Sequence, residues 1–124
     1  MPHKPAIEIA FTPEFKRNLR ALAKKYPHIR SDVQPIVEQI QRGEFIGEQV
    51  QGTGYTIFKV RLRNSDTSRG KSGGYRVIYY LRTATVVILV TIYSKAESSL
   101  HRQQPRQSRA GGRLVGLALY LHQL

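Results

Sequence analysis

Cysteine is absent from the chain, which excludes a disulfide framework, a thiolate metal site and a thiol nucleophile. Acidic side chains are scarce: 8 Asp and Glu stand against 20 Lys and Arg, for a net charge of +12. A field of that sign draws in polyanions, nucleic acid first, with an anionic membrane or an acidic protein behind it. The four histidines, His3, His28, His101 and His122, show no metal-ligand spacing. No run approaches the roughly 18 apolar residues of a membrane span, and the opening "MPHKPAIEIAF" lacks the apolar core of a signal peptide. A cytoplasmic protein with no membrane, metal or small-molecule cofactor is expected, and 124 residues suit one compact domain.

Apolar spacing orders what is present. "AIEIAF" (6–11) alternates and suits a short first strand. Thr12 is an N-cap residue followed by Pro13 and Glu14, after which Phe15, Leu19, Leu22 and Tyr26 recur at helical spacing as far as Pro27. Lys16, Arg17, Arg20 and Lys24 fill the other faces of that helix. Ser31 and Gln34 read as the capping box of a second helix, with Pro35 in its first turn, a stripe of Val33, Ile36, Val37 and Ile40, and an end at Gly43. The short connection predicts an antiparallel helical hairpin whose stripes are core. "GEFIGEQVQGTG" (43–54) has four glycines and no period, and reads as a loop. "YTIFKVRLR" (55–63), "YRVIYYLR" (75–82) and "TVVILVTIY" (85–93) read as strands, the last apolar throughout and so central and buried on both faces. The order β-α-α-β-β-β predicts an α+β domain with a mostly antiparallel twisted sheet.

Charge concentrates in the middle of the chain. Residues 1–48 hold 8 basic and 6 acidic side chains, whereas residues 49–95 hold 8 basic and 1 acidic. Alternation puts Lys59, Arg61 and Arg63 on one strand face with Tyr55 and Ile57, about 6–7 Å apart at successive positions, close to phosphate spacing along a nucleic-acid strand. Arg76, entering the next strand, can join that row. A lysine crowded by arginines is a candidate general base, and an arginine can stabilise a pentavalent phosphorane. RNA carries its own nucleophile in the 2′-OH, so such a site needs neither metal nor serine. Tyr75 and Tyr79 point one way and Tyr80 the other; rings that face RNA would stack on bases, and at least one ring belongs to the core. An ordinary half-buried sheet with snorkelling arginines has the same composition. "GKSGG" (70–74) lacks the spacing of a phosphate-binding P-loop.

"FTPEFKRNLRALAKKYP", "GEQVQGTG", "FKVRLRN", "GKSGGYRVIYYL" and "VTIYSKAE" occur in an order and spacing that resemble the RelE/ParE toxin superfamily, nearest its RelE and HigB-like branch, over about residues 7–97. The resemblance implies a microbial-ribonuclease-like fold and the toxin of a type II toxin–antitoxin module. Such a toxin is a metal-independent endoribonuclease that cuts mRNA in the A site of the 70S ribosome and is held inactive by a cognate antitoxin. It implies catalytic roles for Lys59, Arg61, Arg76 and Lys95, and RNA or ribosome contacts for Arg63, Arg69, Lys71, Tyr75, Tyr79 and Arg82. Arg61 stands where well-known members place a lysine base, so Lys59 or Lys95 would take that role, or catalysis would rest on electrostatics alone. Residues 98–124 break from the pattern: acid and lysine vanish, four arginines lie among Gln, Ser and Gly, and a Leu-rich end follows. The domain is therefore expected over 1–97, with an atypical tail that is disordered over 98–112 and weakly helical over 113–121, and that could weaken the toxin. The competing readings are a ParE-like poison of DNA gyrase and a basic nucleic-acid-binding homologue of reduced activity.

Overall fold

Thr12 settles where the first helix begins and what it packs against. In the computed structural model, which describes residues 6–67, 70 and 73–95, the Thr12 hydroxyl accepts from the Phe15 amide at 2.9 Å and donates to the Val90 carbonyl at 2.7 Å. The first bond caps helix α1 (Pro13–Lys25), with Pro13 in the first turn as expected. The second fastens the helix start to a strand 78 residues away.

The preceding strand, β1 (Glu8–Phe11), leads through α1 and α2 (Ile29–Gln41) to β2 (Glu48–Gln49), β3 (Ile57–Leu62), β4 (Tyr75–Thr83) and β5 (Val86–Ser94). Strand order across the sheet is β1-β5-β4-β3-β2. The pair β1 and β5 is parallel and the other pairs are antiparallel, so the expected α+β class and mostly antiparallel sheet are present. Strand β5 lies between β1 and β4, as its unbroken apolar run predicts, although β4 is the middle strand.

Two features differ from the sequence reading. The segment 43–54 is not all loop, because Glu48 and Gln49 pair with Lys59 and Phe58 and form an extra edge strand. Helix α2 starts at Ile29, not after a Ser31 capping box; Ser31 instead donates to the His28 carbonyl, and Pro35 lies inside the helix. Burial of Ile29 and the grip of Asp66 on His28 outcompete the local cap. Asp66 takes the His28 amide at 3.0 Å and Nδ1 at 2.6 Å, while Asp32 accepts from the Ser65 amide and hydroxyl.

The sheet has apolar side chains on both faces. Phe15, Leu22, Ile29, Val33, Ile36 and Ile40 of the helices pack on Val60, Leu62, Tyr75, Val77, Tyr79, Leu89 and Ile92. Ile57, Ile78, Tyr80, Ile88 and Val90 form a second cluster on the opposite face, joined by Val50, Tyr55 and Tyr93. Strand β5 changes phase part-way. Ile78 pairs with Thr91 and Tyr79 with Leu89, so Val90 is the extra residue of a β-bulge. Leu89 and Ile92 consequently share the helix side, whereas Val90 and Tyr93 share the other. Helix α1 grips this bulge: Thr12 holds the Val90 carbonyl, and Asn18 Nδ2 donates to the Thr91 hydroxyl at 3.1 Å and to the Ile92 carbonyl at 3.2 Å. The tail expected at 98–124 lies outside the described residues.

Removing the Thr12 hydroxyl deletes both the cap and the bulge contact. Thr12→Ala is expected to cost about 1–2 kcal/mol, a fall of roughly 5–10 °C in Tm, with Thr12→Ser close to the parent; a melt indistinguishable from the parent would contradict this. The His28 clasp makes a signed prediction about pH. Asp66 raises the His28 pKa, first by its hydrogen bond and then by its charge, and His28 lowers that of Asp66. The clasp is therefore complete below the histidine range, lost as pH rises through the raised His28 value, and lost again as pH falls through the lowered Asp66 value. The stability difference between the parent and His28→Gln, measured by denaturant midpoints, is expected to be larger at about pH 5.5 than at about pH 8.5. A gap that widens with pH would refute the assignment.

Candidate functional site

On the face away from the helices, the apolar cluster of Ile57, Ile78, Tyr80, Ile88 and Val90 gives way to cations towards the end of β3 and the start of β4. Lys59 and Arg61 project there from β3, and both are exposed. Arg76 of β4 pairs with Arg61 on one side and with Tyr93 of β5 on the other. Lys95 follows β5, its amide donating to the Gly74 carbonyl at 2.8 Å. Together with Gly47 and Glu48, these four cations line a cleft of about 350 Å³.

Arg76 and Arg61 are like charges placed directly opposite on neighbouring strands, an arrangement that destabilises a sheet unless an anion joins it. Arg76 is only 5% exposed. Its guanidinium donates to the Tyr75 carbonyl at 3.1 Å. Burial, followed by the Arg61 charge, lowers its pKa, while Tyr93 acts in the opposite sense. A phosphodiester between the two guanidinium groups would relieve their repulsion and take charge-assisted hydrogen bonds from both.

Glu48 is the residue that reading the sequence missed. Its strand is two residues long, inside a glycine-rich segment without a period, and only pairing with Lys59 brings the residue to the lining of the cleft. Gly47 makes that pairing possible. Its φ is +104°, and a Cβ there would lie 2.6 Å from the Lys59 carbonyl oxygen. A Cβ at Gly74 would lie 1.9 Å from the Leu62 carbonyl oxygen, so glycine is also needed where β4 opens against the end of β3. Gly74, the second of the glycine pair before Arg76, thus has a packing role.

The remaining candidates divide. Arg63 is exposed beyond the end of β3, and Arg82 stands six residues from Arg76, about 20 Å along β4; neither lines the cleft. Arg69 and Lys71 lie outside the described residues. Tyr75 and Tyr79 are corrected: both are 0% exposed in the core beneath the helices, which leaves no ring face for a base. Tyr75 packs edge-on to Tyr26. Tyr79 stacks on Phe58 at 5.3 Å, and its hydroxyl donates to the Ile46 carbonyl, two residues before Glu48. Burial raises the pKa of both phenols and keeps them protonated. Tyr79 therefore fastens the segment that delivers the carboxylate.

Tyr79→Phe keeps the ring stack and removes that bond. The expected result is faster hydrogen exchange at the Val50 amide, which bonds the Ile57 carbonyl where β2 joins β3, with a stability loss of about 1–3 kcal/mol; unchanged exchange there would show that the bond does not hold the strap.

No family model matches the sequence, and no curated protein matches it either. Among solved structures, the chain is similar to the Escherichia coli toxin RelE in its free state, in a variant with two arginines replaced by alanine. The TM-score is 0.52 and the identity 21%, over 80% of this chain and 93% of that one. The helical hairpin against a five-stranded, mostly antiparallel sheet thus shares its fold with that RelE structure.

Proposed function

We propose that the chain is the toxin of a type II toxin–antitoxin module, a metal-independent endoribonuclease that cuts mRNA in the ribosomal A site and is neutralised by a cognate antitoxin. The observation that carries this reading is one cleft lined by Lys59, Arg61, Arg76 and Lys95 together with a single acidic residue, Glu48. Such a set meets the needs of RNA transesterification. The 2′-OH attacks the adjacent phosphorus, the P–O5′ bond breaks, and the products are a 2′,3′-cyclic phosphate and a 5′-OH.

Each lining residue has a role fitted to its chemistry. Arg61 and Arg76, facing each other across β3 and β4, take the non-bridging oxygens as charge builds on them. A guanidinium stays protonated and an ammonium offers donors alone, so Glu48 is the acceptor among these side chains for the 2′-OH proton. This reassigns the role that sequence reasoning gave to Lys59 or Lys95. Those two are then donors, one of which protonates the departing O5′. The stronger demand falls on Arg76, since burial fixes its position before substrate arrives.

The test is a defined mRNA translated by purified ribosomes with the full chain added, its cuts mapped and their ends characterised. Arg76→Ala is expected to lower the cleavage rate about 10²–10³-fold, and Glu48→Gln about 10²–10⁴-fold, with the melting curves retained. Glu48→Gln at full rate would return the base role to a lysine. Uncut mRNA after addition of the parent chain to the translating ribosomes would sink the ribonuclease reading as a whole.

A further inference from the structure

Asp66 is the single acidic residue between positions 49 and 95, and both its oxygens bond His28. The contact to the His28 amide does not depend on the imidazole, whereas the 2.6 Å contact to Nδ1 is an ion pair only while the ring is protonated. The His28 side chain is 67% exposed, so protons from solvent reach it directly. The charged groups around it are Asp66 of the turn and Asp32 of α2. On the inner side, Tyr75 of β4 packs edge-on to Tyr26 at the end of α1. Burial, then Asp32 and Asp66, raise the Tyr75 phenol, which stays protonated and leaves the imidazole as the group that titrates near neutrality.

From this contact a chain of bonds leads to the cleft. Asp66 donates its amide to the Asn64 side-chain oxygen at 2.9 Å, and Thr67 closes the turn on the Asn64 carbonyl. Asn64 is 1% exposed and sits against Gly74, where a Cβ would lie 3.0 Å from the Asn64 nitrogen. Gly74 in turn accepts the Lys95 amide at 2.8 Å, and the next residue, Tyr75, offers its carbonyl to the Arg76 guanidinium. Two of the cleft cations are thus placed by backbone that abuts Asn64. The other grip on the turn, from Asp32 to Ser65, does not involve the imidazole, so His28 sets how firmly the turn is held and not whether it is held.

We propose that His28 and Asp66 form a pH-sensitive latch on the cleft. With the imidazole protonated, the turn at 64–67 is drawn onto α2 and Gly74 is fixed, so Lys95 and Arg76 are in position before substrate arrives. Loss of that proton takes the ionic partner from Asp66, and the turn loosens locally while the domain stays folded. An exposed ion pair adds little to global stability; its leverage here comes from its place at the head of the Asn64–Gly74–Lys95 chain. His28 and Asp66 do not line the cleft and are positioning residues. The consequence for RNA cleavage rests on the ribonuclease reading; the coupling of His28 to Lys95 does not.

The test follows the Gly74 and Lys95 amide signals of the full chain by NMR from about pH 5.5 to about pH 8.5, beside the ring signals of His28. In the parent, both amides are expected to shift with the midpoint of the His28 ring, and His28→Gln should abolish that step. Asp66→Asn should abolish it as well while His28 still titrates, at a lower midpoint because Asp66 no longer favours the charged ring; a role in folding alone would not separate the two signals. Absence of the step in the parent, or its persistence at Lys95 in Asp66→Asn, overturns the proposal. Cleavage is measured in parallel with translating ribosomes. The parent should cut about three- to tenfold faster than His28→Gln at about pH 6 and equally fast at about pH 8.5; a ratio that does not change with pH overturns the latch. A parent chain that never cuts mRNA refutes the ribonuclease reading, and the Lys95 signal then still decides the coupling.

Discussion

The extra residue at Val90 is the constraint on which the site depends. Without it, strict alternation along β5 would place Ile92 on the face away from the helices and Tyr93 under them. The bulge reverses that phase, so Tyr93 stands beside Arg76 and Ile92 enters the main core. A bulge disturbs the ladder and needs other partners for its polar groups. Thr12 and Asn18 supply them from α1, bonding the Val90 and Ile92 carbonyls and the Thr91 hydroxyl. One helix start thus fixes both the packing of the hairpin and the end of β5 that leads to Lys95.

Around that anchor, the molecule separates what must be rigid from what must repel. Mutual repulsion of Lys59, Arg61, Arg76 and Lys95 works against the compact state. Apolar clusters on both faces of β4 and β5 oppose it, and their burial is worth about 25 cal/mol per Å² of apolar surface. Burying two tyrosine rings directly behind the cationic strands belongs to the same arrangement. Tyr75 and Val77 flank Arg76 in alternation, so a stable core and a fixed guanidinium come from one strand.

Legibility in the sequence followed the range of the interactions involved. The Thr12 cap, the α1 stripe and the common face of Lys59 and Arg61 depend on neighbours within a few residues, and all three were readable. Alternation also separated Tyr75 and Tyr79 from Tyr80, but it does not say which side a second layer covers. Here both faces hold apolar clusters, so all three rings are buried and none is free to stack. Glu48 was hidden for a different reason. Its two-residue strand exists only because Gly47 tolerates close approach to β3 and Tyr79 holds the Ile46 carbonyl, and both are long-range conditions. The start of α2 moved for the same cause, since Asp66 lies 38 residues from the His28 it grips.

The carboxylate changes what Arg61 means. Taken along the strand alone, Arg61 at a position where the sequence resemblance implies a lysine base looks like the loss of that base. On the proposed mechanism, with Glu48 in the cleft, proton acceptance and charge stabilisation would sit on separate groups: the acceptor on β2, the two guanidinium groups on β3 and β4, and the ammonium donors Lys59 and Lys95. That division removes the conflict of asking one lysine to be neutral as a base while it is charged as a phosphate ligand. It also makes the site depend on an edge strand two residues long. The geometry of the cleft then stands or falls with the Gly47 contact and the Tyr79 hydroxyl, neither of which lies among the proposed catalytic side chains.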